Sequence, residues 1–345
     1  MRFRHRALSR RILLGGGIGA AAGVALAACG DDDHAGQGGD GPFPPPYPRT
    51  VEHRFGSTRI ESRPQRIVCL GRGDADALLA AGVTPVATLD RLDVGPHGIG
   101  PWARSTPVGA PPEVLPGPEI DLDRVAALAP DLVTFTRSDV RAVWERLSKL
   151  APTIAGRPGV LPSAPRGTEP PDTSWQDQAA MIAWAASDVP PTGPRSVTEA
   201  MAAVAAVKKR NPGFAGRTVA VATVVDGRYH AYLRPDERLR FMEALGFRNS
   251  PAVEGTEPDM SNPPRYVTTF SRQQAARLDA DLTVVLGGGD LRDDPMLTGI
   301  PSARAGRLLV VDDVDLANAL ATSSVLSIPY ALERFVPLMR RALSL

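Results

Sequence analysis

Short β-branched runs alternate with helical segments of about ten residues along most of this chain, and that alternation limits the fold more than any single motif does. RIVCLG (66–71) leads into the helical DADALLAAG, and PVATLD (85–90) leads into a long loop. DLDRVAALA (121–129), which Asp121 can cap, precedes the strand DLVTFT (131–136), and SDVRAVWERLSKLA is an amphipathic helix before PTIAG. Strands alternating with helices of this length imply βαβ units and a parallel sheet. The pattern pauses at SVTEAMAAVAAVKKR. It restarts with RTVAVATVV (217–225), GRYHAYL, the helix PDERLRFMEALG, the helix SRQQAARLDA, DLTVVLGG and RLLVVDD (307–313), and closes on SVLSIPYALERFVPLMRRAL. The expected fold class is α/β, with two lobes, each a mainly parallel sheet flanked by helices, joined by one long α-helix.

The joining helix has its own boundary marks. Ser196 and Glu199 have capping-box spacing, and Lys208, Lys209 and Arg210 suit the negative end of the helix dipole. Asn211-Pro212-Gly213 ends it, and Val197, Met201, Val204 and Val207 form a narrow apolar stripe. This gives an N-terminal lobe over 51–194, a bridging helix over 195–211 and a C-terminal lobe over 212–345.

The first 50 residues read differently. Five arginines and no acidic residue precede Ile12, and Ile12–Ala28 then runs 17 residues without a charge. A charged head, an apolar middle and a small-residue end are the marks of an export signal, here over 1–28. The run carries five glycines, which make it a poor membrane-spanning helix. Leu26-Ala27-Ala28-Cys29 resembles the bacterial lipobox, whose cysteine is acylated after cleavage, and Ser9-Arg10-Arg11-Ile12-Leu13-Leu14 resembles the twin-arginine export motif, with Leu13 where Phe is usual. Cys29 is therefore expected to carry lipid and hold the protein on the extracytoplasmic face of the cell membrane. The Gly-, Pro- and Asp-rich stretch that follows reads as a tether over 29–50.

Composition removes several function classes. The signal holds five of the 39 basic residues and none of the 38 acidic ones, so the remainder is mildly acidic and not suited to nucleic acid. With Cys29 acylated, Cys69 has no disulfide partner and reads as an inert core residue. Gly71-Arg72-Gly73 follows a strand, but Asp76 occupies the position where a dinucleotide fingerprint needs its third glycine. No phosphate loop, HExxH or GxSxG occurs, and the five histidines are dispersed, so no metal site is expected.

Open α/β sheets bind ligands at the carboxyl ends of their strands. The candidates there are Arg72, Arg91, Trp102 and Arg137 in the first half, and Tyr229, His230, Tyr232, Arg234 and Arg292 in the second. Arginine offers forked, permanently charged donors to anionic oxygens, and Trp and Tyr offer flat apolar walls. Arg137, just past DLVTFT, is expected to anchor the ligand. Only one alternating set of the 228–234 strand can face a cleft.

HRFGSTRIESRPQRIVCLGRGDADALLAAGVTPVA, EIDLDRVAALAPDLV, ERLSKLAPTIA, FAGRTVAV, FSRQQAARLDADLTVVL and SVLSIPYAL carry a further signal. Together they resemble the substrate-binding lipoproteins of ABC importers for ferric siderophores, a class that also carries cobalamin and haem. The resemblance implies ligand capture between two lobes without catalysis, a ferric siderophore as cargo, no cofactor, and an ABC permease with its ATPase subunits as partners. A monomer is expected. It also implies docking through an acidic residue on each lobe, at the positions of Asp123 and Gln273, where Gln273 replaces the common Glu. Haem or cobalamin is the alternative cargo, with Tyr229, His230 or Tyr232 as candidate iron ligands. An exported α/β enzyme is the remote alternative.

Overall fold

The computed structural model describes residues 47–106, 109–115, 117, 119–137, 140–157, 173–188, 194–234, 236–258 and 266–345. The export segment, Cys29 and the tether up to residue 46 lie outside the described residues, as do 158–172. The fold begins with an antiparallel hairpin, β1 (Arg49–His53) and β2 (Gly56–Ile60), which the alternation argument did not anticipate. Its first strand buries every second residue, the pattern of a strand covered on one face.

Five short strands make the first sheet: β3 (Ile67–Cys69), β4 (Ala87–Leu89), β5 (Glu113–Leu115), β6 (Leu132–Phe135) and β7 (Thr153–Ala155). They are all parallel, in the order β5-β4-β3-β6-β7. Each residue of β3, β4, β6 and β7 is buried, which explains why these segments read as continuous apolar runs. Helices α1 (Asp74–Ala80), α2 (Leu122–Ala127), α3 (Arg141–Leu147) and α4 (Trp175–Ala186) belong to this half. Asp121 caps α2 as read, accepting from the amides of Asp123 and Arg124 at 3.0 Å.

One helix, α5 (Arg195–Arg210), crosses to the second half; its 16 residues span about 24 Å. Its first residue is the expected Arg195, but its cap differs from the sequence reading. The N-cap is Pro194, so Ser196 already lies inside the helix, and its hydroxyl has no hydrogen-bond partner. Glu199 instead accepts from the Arg195 guanidinium at 2.7 Å. The buried stripe also shifts, with Ala200 inside and Met201 half-exposed.

The second sheet holds β8 (Thr218–Val225), β9 (Arg228–Tyr232), β10 (Arg248–Asn249), β11 (Val267–Phe270), β12 (Leu282–Leu286) and β13 (Leu308–Val311). Its order is β11-β9-β8-β12-β13, with β10 also on β8. Strands β8, β10, β12 and β13 are parallel, while β9 and β11 run antiparallel to their neighbours. SRQQAARLDA forms a 3-10 turn over Arg272–Leu278, opened by a capping box between Ser271 and Gln274.

Helix α6 (Glu237–Ala244) follows β9, and α7 (Val314–Thr322) and α8 (Ser327–Ala342) close the chain. Helix α8 packs along α5. Near its start Tyr330 meets the Trp102 ring of the first half edge-on at 5.9 Å, and beyond its end Leu345 lies against Gly213, just past α5. A single apolar cluster runs from Ile67 and Leu78 through Val207 to Val219 and Phe335, so the halves share a core.

The two helix starts make a testable contrast. Asp121→Ala is expected to lower unfolding free energy by about 1 kcal/mol. Ser196→Ala should leave it unchanged, as measured by urea titration of each variant.

Candidate functional site

The turn between β3 and α1 sets the position of the site. Gly71 has no room for a side chain, since a Cβ there would lie 2.3 Å from the Thr136 carbonyl oxygen. Gly73, at φ 82°, takes the left-handed conformation that lets α1 start at once. The Asp74 carboxylate then fastens the turn. It accepts from the Gly71 amide at 2.9 Å, from the Thr136 hydroxyl, and from Gln178 Nε2 on α4 at 2.8 Å.

Above this turn lies a cavity of ≈ 430 Å³. The first half supplies most of its wall: Cys69, Arg72 and Asp76 around the β3 turn, Asp90 and Arg91 after β4, Trp102 in the long loop, and Arg137 after β6. The second half adds Asp236, Tyr266 and Thr322. The cavity is therefore at the carboxyl ends of the first sheet's strands and is closed by the second half.

Four of the nine sequence candidates for ligand binding line it, namely Arg72, Arg91, Trp102 and Arg137. Arg91 is partly desolvated, which lowers its pKa, and its Nη1 donates to the Leu70 carbonyl at 3.3 Å. Arg137 sits at φ 53° with its side chain fully buried. Its guanidinium donates to the Thr322 carbonyl and, at 2.8 Å, to the Ser323 carbonyl, and it lies 4.0 Å from Glu237. A first-half cation thus caps the end of α7. The thiol of Cys69 is buried and pushed upward by desolvation.

The five second-half candidates lie outside this cavity. Tyr229 is fully buried in the core of the second sheet and donates to Asp294 at 2.7 Å. Its ring packs in that core and lines no part of the cavity. His230 bonds Thr269 on the adjacent strand. Tyr232 is buried under the Arg238 guanidinium, 4.3 Å from the ring centroid. Arg234 is on the surface, bonded to Glu243 at 2.6 Å. Arg292 pairs with Asp312 along a separate groove beside β13 and α8. Asp123 and Gln273, expected from the sequence to dock, are both exposed; Arg272 beside Gln273 pairs with Asp294 at 2.8 Å.

The carboxylates of the cavity escaped the sequence reading, which looked for cations and aromatics. Asp76 is the most constrained. Its Oδ2 accepts from Trp102 Nε1 at 2.7 Å and from the Ser324 hydroxyl of the second half. Burial pushes its carboxyl up to about 6, against the opposing pull of those two hydrogen bonds and the Arg137 charge. One signal pointed to it, its place three residues after Gly73 where a nucleotide fingerprint has glycine.

No family model matches the chain. The putative ABC transporter substrate-binding lipoprotein YhfQ of Bacillus subtilis is 30% identical over 109 residues, covering 30% of this chain and 32% of that protein. The ferric-anguibactin-binding protein FatB of Vibrio anguillarum is 34% identical over 107 residues, 31% of each chain. The matched stretch thus spans about a third of the length of these curated relatives. Among solved structures, a periplasmic solute-binding protein from Mycobacterium smegmatis superposes with a TM-score of 0.69 at 28% identity, over 88% of this chain and 99% of that one. Over most of its length the chain is thus similar to a periplasmic solute-binding protein. Asp76 is the carboxylate in the cavity wall whose pKa burial raises.

Asp76 also gives a pH prediction. Its carboxyl titrates at about 6 in the folded protein against an ordinary 3.8. Its favourable contribution is complete below pH 3.8 and is lost as pH rises through about 6, on the order of 3 kcal/mol in all. Urea unfolding at pH 4 and pH 7.5 should show that loss as the difference between the unsubstituted chain and Asp76→Asn, because buried His53, lowered to about 4, titrates over the same window in both and cancels in the comparison.

Proposed function

We propose that this solute-binding protein captures a ferric siderophore in the cavity between its halves and delivers it to an ABC permease and its ATPase subunits. The observation that carries the reading is the ≈ 430 Å³ cavity at the strand ends, walled by Trp102 and three arginines, Arg72, Arg91 and Arg137. A ferric chelate presents anionic or strongly polar oxygens around a compact centre, and forked guanidinium donors suit those oxygens. The likeness to a ferric-anguibactin-binding protein supports the same cargo class.

The remaining parts of the reading follow the sequence. Residues 1–28 act as the export signal, by the twin-arginine or the general secretory route, and Cys29 carries the lipid that holds a tether over 29–50 at the extracytoplasmic face of the membrane. Lobes over 51–194 and 212–345 flank the bridging helix over 195–211, and the protein works as a monomer. The exposed Asp123 and Gln273 present one carboxylate and one amide to the permease, an asymmetric pair.

The haem or cobalamin alternative used Tyr229, His230 or Tyr232 as iron ligand. None of the three lines the cavity, so the ferric siderophore is the better-supported cargo.

Tryptophan-quenching titration of the mature protein tests the choice. Ferric hydroxamate or ferric catecholate complexes should quench with saturation, and haem and cobalamin should not. Arg91→Ala should weaken an anionic ferric complex roughly 10- to 100-fold, the effect of losing a charge-assisted hydrogen bond of about 1.5–3 kcal/mol. Quenching by haem or cobalamin alone would contradict the reading.

A further inference from the structure

Three carboxylates line the cavity, and two of them are fully occupied. Asp90 accepts from the Leu92 amide on Oδ1 at 3.0 Å and from the Val94 amide on Oδ2 at 2.9 Å. Asp236 gives Oδ1 to the Arg238 amide at 2.9 Å and Oδ2 to the Arg238 guanidinium at 3.0 Å. Asp76 is different. Both of its donors, Trp102 Nε1 and the Ser324 hydroxyl, share the single oxygen Oδ2. Oδ1 accepts no hydrogen bond from a described residue, and it is not among the sealed polar atoms of the molecule.

We propose that Asp76 divides its carboxylate between structure and ligand: Oδ2 fixes the cavity walls, and Oδ1 accepts a hydrogen bond from the bound molecule. The site then favours ferric chelates that carry N–H or O–H donors over those that present only carboxylate oxygens. This rests on the ferric-chelate reading above and narrows it to a chemical class.

The surroundings of Asp76 support the division. Its side chain is held from two sides, by the Trp102 indole and by the Ser324 corner between α7 and α8, so it cannot swing away from an unsuitable ligand. The charges near it are few. Arg137 is the cation that acts on it, and that guanidinium already serves the Thr322 and Ser323 carbonyls. Cys69 faces it from β3, and Asp74 lies on its own helix. A ligand carboxylate placed against Oδ1 would meet like charge in a desolvated site, whereas an amide N–H or a hydroxyl would complete the acceptor.

Two probes separate the classes. Ferrichrome is a cyclic-peptide hydroxamate with amide N–H groups, and ferric dicitrate presents carboxylate oxygens at its periphery. Asp76→Asn removes the charge while keeping an acceptor for Trp102. It should weaken ferrichrome about 10-fold and leave ferric dicitrate unchanged or tighter, so the affinity ratio falls at least about 10-fold. Ser324→Ala touches only the Oδ2 side and should leave the ratio unmoved, whatever it does to either affinity. Thermal unfolding of both variants confirms that they are folded. If Asp76→Asn shifts both ligands equally, or neither, Asp76 is structural only and the proposal is overturned. If the unsubstituted chain binds neither complex, this assignment is overturned; if it binds no ferric catecholate either, the ferric-chelate reading falls as well.

Discussion

Two charged side chains of the first half between them grip three consecutive residues of the second. Arg137 caps the last carbonyls of α7, at Thr322 and Ser323, and Asp76 accepts from the hydroxyl of Ser324. The negative end of a helix is a favourable place for a cation, and a buried guanidinium must have partners or be expelled. This corner is therefore fixed, and much else depends on it. Thr322 becomes cavity wall, Trp102 is held upright through Asp76, and α8 starts against the first half before running beside α5. The two lobes are thus joined by one chain crossing and by a second, non-covalent fastening.

That fastening explains why a continuous apolar core runs through both halves. Proteins with separate cores connected by flexible strands can close by large hinge rotations. Here a rotation would have to strip Arg137 of two carbonyl acceptors and split a shared core. The bridging helix alone does not account for the stiffness; the corner between α7 and α8 adds to it.

The sequence made the fold class legible because fully buried parallel strands such as IVC and LVTF leave an unmistakable apolar run between helices. It misled on the cap of α5, since Ser196 and Glu199 satisfy the capping pattern yet the N-cap is Pro194, two residues sooner. It also missed the β1–β2 hairpin, whose alternating pattern is short and rich in charge. At the site, the strand-end rule reached the cavity from one half only. The same strand-end rule chose both sets, yet Arg72, Arg91, Trp102 and Arg137 line the cavity, while Tyr229, His230, Tyr232, Arg234 and Arg292 lie off it in a half whose wall is Asp236, Tyr266 and Thr322. The role of Arg137 was hidden as well, because its carbonyl partners lie 185 and 186 residues away in the chain.

The central claim is that the lobes are fastened to each other around the ligand cavity and move little when it fills. Spin labels at Glu145→Cys on α3 and Arg304→Cys in the second half, both exposed positions, would report the distance between the halves by pulsed dipolar spectroscopy. With and without a saturating ferric chelate, the account predicts distance distributions whose centres differ by less than about 3 Å, and a broader distribution once Arg137→Ala releases the corner. A ligand-induced shift on the order of 10 Å in the otherwise unsubstituted chain would contradict it.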